Sequence, residues 1–249
     1  MKLRLFLLSV ILTVASGISV FADDNIYIAD FETWAPFRIA DSSSTSGFKG
    51  LDIEILNELS ERLKIKIQVR RSPWARSLEN IKTGESDIIT GVAHTDERAE
   101  FIHYIEPSYY YVTPVFYVQK GKGNLIKNYN DLYSYSIGYS IKSAYFEPFN
   151  SDTKLNKVEI STEAQLIRML VLGRVDVIIG TNPNLAYDLL QAGESSKVEP
   201  VLYTPPKITK LYIGVSKKSK LITRRKEIEK VLKDMIKSNL IKKIMANYR

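Results

Sequence analysis

Cysteine is absent from the 249-residue chain. That excludes disulfides, thiolate zinc sites, iron–sulfur ligation, cysteine nucleophiles and a lipid-bearing N-terminal cysteine. Histidine is nearly absent too. His94 and His103 are the only two, so a three-histidine metal site cannot form. No metal and no cofactor is expected. No apolar run reaches the roughly 20 residues that a bilayer-spanning helix needs. What remains is an ordinary globular composition, 45% hydrophobic and 25% charged, which excludes a disordered or fibrous chain. The length allows one large domain or two lobes, each burying its own core. Lys and Arg (35) exceed Asp and Glu (28), for a net charge of +7.

Residues 1–22 read as an export signal rather than as part of the fold. Lys2 and Arg4 make a positive start, and residues 5–14 form an apolar core. Val20-Phe21-Ala22 then offers a cleavage site after Ala22, followed by Asp23-Asp24. Losing Lys2 and Arg4 takes the net charge to +5. An exported chain without cysteine is expected to be a free protein of the Gram-negative periplasm.

An internal repeat follows. Residues 78–91 (LENIKTGESDIITG) and 167–180 (IRMLVLGRVDVIIG) share one pattern: a helix end, a glycine, x-x-Asp, and an apolar strand closing on glycine. Gly84 and Gly173 suit left-handed helix ends. The strands after them read as buried parallel strands. Around these units strands alternate with helices. In the first half, strands are expected at 26–29, 65–69 and 87–90, with helices at 51–63 and 75–83. In the second half, strands are expected near 136–139, 158–160 and 175–179, with helices after Ser143, at 163–172 and at 183–191. Residues 109–118 and 201–215 read as extended, and 222–248 as helical with a left-handed turn at Asn239. The fold class is therefore α/β: two lobes of mostly parallel open sheets joined by two crossover strands. Lobe 1 comprises residues 23–110 and 208–249, and lobe 2 residues 111–207. In open α/β sheets ligands sit beyond the carboxyl ends of the strands, and Gly91 and Gly180 mark two such ends.

Several segments, taken in order, resemble the bacterial extracellular solute-binding proteins of family 3. These periplasmic receptors hand amino acids and related solutes to ABC importers. The segments are Ala35-Pro36-Phe37, Gly50-Leu51-Asp52-Ile53-Glu54, Trp74, Gly84-x-x-Asp87, Gly91, Thr95-Asp96-Glu97-Arg98, Tyr109-Tyr110 and Gly173-Arg174-Val175-Asp176. The resemblance covers nearly the whole mature chain and implies a periplasmic binding protein type II fold.

It also implies site residues. Arg98 matches the arginine that clamps a ligand carboxylate, a role its planar fork of donors suits. Thr95 matches a threonine that caps the helix or holds the arginine loop. Trp74 and Trp34 match ligand-lining aromatics. Gly91, Ser143 and Thr181 fall where the two lobes would meet the ligand. Ten of the fifteen tyrosines lie between Tyr104 and Tyr145, and Tyr110 and Tyr139 are the picks among them. Arg76, one helical turn from Trp74, is the remaining candidate. Arg38, Arg70, Arg71 and Lys142 read mostly as solvated surface charges.

The sequence departs from the family where amino-acid receptors hold the α-ammonium. Their aspartate is Thr181 here, which carries no charge. Lys142-Ser143 replaces a small Gly-Ser/Thr pair, and Ala93 replaces a Ser or Thr. Either the ligand lacks a standard α-amino group, or an acid elsewhere, such as Asp30 or Glu32, receives it.

The leading expectation is a periplasmic protein that captures a small carboxylate-bearing, amino-acid-like solute by lobe closure and delivers it to an ABC permease. No catalytic residue is assigned. The alternatives are a ligand sensor for a signalling partner and a dehydratase-like enzyme on the same fold, with His94 and Glu106 as its possible acid–base groups. The basic stretch at 217–243 reads as the solvated face of an amphipathic helix, not a nucleic-acid site. A monomer is expected.

Overall fold

The computed structural model describes residues 26–248; the expected export signal at 1–22 lies outside them. The first lobe opens with β1 (Ile26–Phe31), a small ribbon of β2 (Ile39–Ala40) and β3 (Phe48–Lys49), and α1 (Leu51–Leu63). It continues with β4 (Lys66–Arg71), α2 (Trp74–Thr83), β5 (Ile88–Val92) and the single turn α3 (Asp96–Ala99). The long strand β6 (Ile102–Gln119) then runs into the second lobe. There follow β7 (Ser136–Ser140), β8 (Asn156–Ile160), α4 (Glu163–Val171), β9 (Val177–Asn182), α5 (Asn184–Gln191) and β10 (Val198–Pro200). The chain returns along β11 (Thr209–Ser216) and finishes on the first lobe with α6 (Arg225–Lys237) and α7 (Leu240–Ala246).

All strands but β2 and β3 join one nine-stranded sheet, in the order β4-β1-β5-β11-β6-β9-β7-β8, with β10 on β6. The flanks are parallel: β1 pairs with β4 and β5, and β7 pairs with β8 and β9. The centre is antiparallel, because β6 and β11 are the two crossovers and run side by side from Val112↔Thr209 to Ile102↔Ser216.

The core is split in the same way. Val112 packs with Phe31, Phe37 and the α1, α6 and α7 side chains of the first lobe, whereas Phe116 packs with Phe146, Phe149 and Ile179 of the second. On the return, Val201 belongs to the second core and Leu211 to the first. Each lobe thus buries its own apolar surface, and β6 and β11 are the strands that pass between them.

The repeat has a structural purpose. Gly84 (φ 89°) and Gly173 (φ 67°) take the left-handed conformation that ends α2 and α4. Asp87 then accepts the Ile28 amide at 2.7 Å, fixing the start of β1. Asp176 accepts the Ser136 amide at 2.9 Å and its hydroxyl at 2.6 Å, fixing the start of β7. In each lobe the acid pins the neighbouring parallel strand.

Two expected elements differ. The helix after Ser143 does not form: residues 143–150 are irregular. Pro148 lacks an amide donor and disfavours helical geometry at Glu147. Tyr145, Phe146 and Phe149 bury in the second core without it. The extended return segment becomes a strand only at Thr209, since Pro205 and Pro206 precede it. Asn239 does adopt the left-handed turn (φ 57°) between α6 and α7.

Candidate ligand-binding cleft

A cavity of about 80 Å³ lies between the lobes, floored by Val112, Thr209 and Leu211 of the crossovers. The first lobe contributes Trp34, Trp74, Gly91, Arg98, Glu32 and Arg38; the second contributes Ser140, Ser143, Tyr145, Glu163 and Thr181. An outer groove of about 540 Å³ shares Arg98 and Ser143 with it.

Arg98 sits in α3, where the Thr95 hydroxyl accepts its backbone amide at 3.2 Å. Thr95 therefore serves as the helix cap and faces the outer groove, not the cavity. The Arg98 guanidinium donates to the Ala93 carbonyl at 2.9 Å and to the Lys142 carbonyl at 2.6 Å. Its carbon lies 5.6 Å from the Trp74 ring centre. The residue is 6% exposed. Among the described residues no carboxylate pairs with it, and burial holds its pKa below the usual arginine value. A buried cation whose only partners are carbonyls keeps donors for an anion.

Lys142 takes a left-handed conformation (φ 59°), at the place where the family pattern has a small residue. The turn presents its carbonyl to the first lobe, and the Trp74 indole also donates to it at 3.3 Å. Two lobe 1 side chains thus meet one lobe 2 carbonyl, and the lobes touch across the cleft.

Trp34 stacks on Phe37 at 4.4 Å. A Cβ on Gly91 would come within 3.0 Å of the Trp34 ring, so glycine here, at φ 69°, lets the indole lie against the end of β5. Arg38 is not a solvated charge. It is 3% exposed, lies 5.1 Å from the Trp34 ring and 5.2 Å from Phe31, and sits 3.6 Å from Asp52 of α1. Asp52 also accepts the Tyr109 hydroxyl at 2.6 Å.

The acidic side of the cleft is Glu32 and Glu163. Glu32 accepts the Trp74 amide at 2.8 Å, and burial raises its pKa. Glu163 is the first residue of α4. The residue keeps some exposure, but its Oε2 is sealed from solvent and has no hydrogen-bond partner among the described residues. Burial first, then the charges of Asp188 and Glu32, push its pKa up to about 8.

Of the ten residues expected at the site, the cavity brings together Arg98, Trp74, Trp34, Gly91, Ser143 and Thr181. Four lie elsewhere. Thr95 caps α3. Tyr110 packs on Phe37 at 5.4 Å as part of the first-lobe core. Tyr139 donates to Glu159 at 2.7 Å beside the outer groove. Arg76 is exposed on α2. Asp30 is held by Arg70, Asn80 and Ser86 and does not line the cavity. His94 is exposed and lies against Tyr104.

The Thr181 hydroxyl donates to Asn184, the first residue of α5. Glu163, Tyr145 and Thr209 were missed by sequence reasoning. A first-turn acid after Thr162 reads as ordinary helix-dipole chemistry, and nothing in the sequence shows that it faces the cleft.

Residues 26–249 match the bacterial extracellular solute-binding proteins, family 3. A probable histidine-binding protein of Neisseria gonorrhoeae is 30% identical over 96 residues, covering 38% of this chain and 35% of that protein. The L-cystine-binding protein TcyA of Bacillus subtilis (strain 168) is 25% identical over 146 residues, covering 58% of this chain and 53% of that protein. The chain thus matches about a third and about half of those relatives' lengths. The amino acid ABC transporter substrate-binding protein AbpA from Streptococcus pneumoniae Canada MDR_19A, solved bound to L-arginine, superposes with a TM-score of 0.75 at 20% identity, covering 90% of this chain and 93% of that one. A histidine kinase sensor domain with similarity to periplasmic binding proteins gives 0.77 at 16%, covering 90% and 94%. At these identities the structural likeness is one of fold.

Proposed function

We propose that this chain, which belongs to the bacterial extracellular solute-binding proteins of family 3, captures a small carboxylate-bearing, amino-acid-like solute between its lobes and delivers it to an ABC importer. The observation that carries this reading is Arg98: a buried guanidinium facing the cleft with carbonyls but no carboxylate as partners. A ligand carboxylate would supply the anion, with Trp74 and Trp34 as walls. Ser143 and Thr181 would close on it from the second lobe. The relatives named for histidine and cystine support an amino-acid-like ligand. Closure would be a hinge motion about β6 and β11, the two strands shared by both cores. Water exclusion on closing strengthens the carboxylate–guanidinium pair. The cavity is about 80 Å³, roughly half the ~150 Å³ that accepts a benzene. A larger side chain therefore needs the lobes further apart, or the outer groove. We place the mature protein in the periplasm, as a monomer cleaved after Ala22.

The same closure would serve a sensor. The fold shared with a histidine kinase sensor domain keeps that as the second reading. Family members are binding proteins, and His94 and Glu106 do not line the cavity, which argues against the dehydratase-like alternative.

Thermal unfolding of the purified protein against amino acids, small mono- and dicarboxylates and polyamines tests the capture. A ligand at 100 times its Kd adds about 2.7 kcal/mol, which moves Tm by several degrees. Stabilisation by a carboxylate-bearing solute is expected. A shift with polyamines alone, or with nothing, overturns the reading. Loss of uptake of that labelled solute on deleting the gene separates delivery from sensing.

A further inference from the structure

We propose that Glu163, at the start of α4 in the second lobe, is the residue that receives a ligand ammonium, with Glu32 facing the same cavity from the first lobe. The cleft then takes zwitterions, holding the carboxylate at Arg98 and the ammonium at α4 rather than at the end of β9. This assignment rests on the carboxylate capture proposed above and names the second pole of the same site.

Three observations converge. The end of β9 offers no counter-charge to an ammonium, because Thr181 is uncharged and its hydroxyl donates to Asn184. Glu163 lines the cavity, and its Oε2 is sealed from solvent with no hydrogen-bond partner among the described residues. A buried carboxylate oxygen without a donor is costly, and a donor entering the cavity would relieve that cost. Finally, the cavity carries opposite charges that do not pair with each other: Arg98 is held by carbonyls, and Glu32 by the Trp74 amide. A small molecule with both charges satisfies both poles at once.

The groups facing Glu163 are Glu32 from the first lobe, Asp188 of α5 behind it, and the buried Tyr145 of the second lobe. None of these is cationic, so none competes with a ligand ammonium. They favour the protonated acid, whose pKa stands near 8. At neutral pH an arriving ammonium must therefore expel a proton. Affinity for an amino acid should rise from about pH 6 to pH 8 and then level, with a proton released on binding. If Glu163 instead acted as a protonated donor to the ligand carboxylate, affinity would fall over the same range.

The test is calorimetry on wild type and Glu163→Gln. The probes are L-histidine beside imidazole-4-propionate, L-arginine beside 5-guanidinopentanoate, and L-alanine beside propionate. We expect the wild type to prefer the amino acid of a pair by about 10- to 100-fold, the range for a hydrogen bond to a charged group. Glu163→Gln should remove most of that preference by weakening the binding of the amino acid. Heats in buffers of different ionisation enthalpy should report proton release at pH 7. Equal wild-type affinity within a pair, an unaltered preference in Glu163→Gln, or affinity falling toward pH 8 would overturn the assignment. Des-amino acids that bind as tightly as the amino acids, and lose affinity in Arg98→Ala, would keep carboxylate capture and remove Glu163. No binding by any probe removes both. The wild-type pH series stands even if the variant folds poorly.

Discussion

Arg98→Ala should lower affinity for the captured carboxylate by roughly 30- to several-thousand-fold, the 2–5 kcal/mol that truncating one partner of a buried charge pair costs. The fold should survive. Arg98 is 6% exposed, so removing its buried charge abolishes a large desolvation cost. What is lost in return is a donor to the Ala93 carbonyl and a donor to the Lys142 carbonyl. The backbone of α3 keeps its cap, since Thr95 bonds the amide of residue 98 and not its side chain. Arg98→Lys should recover little of the affinity, because an ammonium offers a carboxylate no parallel fork. Arg76→Ala is the matched control. It removes a cation from the same lobe, but an exposed one outside the cavity, and should change affinity by less than about twofold. Titration calorimetry with the stabilising solute, beside circular dichroism of each variant, decides the matter. Unchanged affinity in folded Arg98→Ala would remove the central assignment.

The contrast between Arg98 and Arg76 also shows what was legible before the structure. The alternation of strands and helices is written in short-range periodicity, and α1 occupies the expected residues 51–63. The repeat was visible because the same local problem, ending a helix and starting a buried strand, is solved twice by Gly and Asp. Side-chain direction at the site was less legible. Tyr110 and Tyr139 lie on strands near the cleft, but a one-residue step along a strand reverses the face. Tyr110 accordingly joins the core, and Tyr139 reaches for Glu159. Glu163 failed in the other direction. Its position after a capping threonine gives an acid an ordinary local reason to be there. That it shares a cavity with Glu32, 131 positions earlier in the chain, emerges only when the chain folds. Long-range electrostatics of this kind has no local signature.

Arg38 poses the same problem inside the first lobe, and there the expected effect is on stability. Arg38→Met should cost about 3–5 kcal/mol near pH 8, because it leaves Asp52 buried without its counter-charge. Asp52 is fully buried, and Arg38 at 3.6 Å, the Tyr109 hydroxyl at 2.6 Å and the nearby Thr90 offset that burial. Burial already raises the Asp52 pKa despite the guanidinium; without it the pKa must climb further. A carboxyl whose folded pKa exceeds its unfolded value contributes stability below the unfolded pKa and loses it as pH rises through the folded one. The deficit of Arg38→Met should therefore be small near pH 4, close to the ordinary carboxyl value of 3.8, where holding Asp52 protonated costs little, and grow toward pH 8. Methionine keeps much of the volume between Trp34 and Phe31, so packing loss contributes a smaller, pH-independent part. Adding Asp52→Asn removes the orphan charge, and the double variant should regain most of the loss at pH 8 and little at pH 4. Denaturant unfolding of the wild type, the single and the double variants at both pH values measures all of this. A deficit that does not change with pH, or that the second substitution does not relieve, would mean that Arg38 stabilises the lobe through its ring contacts and not through Asp52.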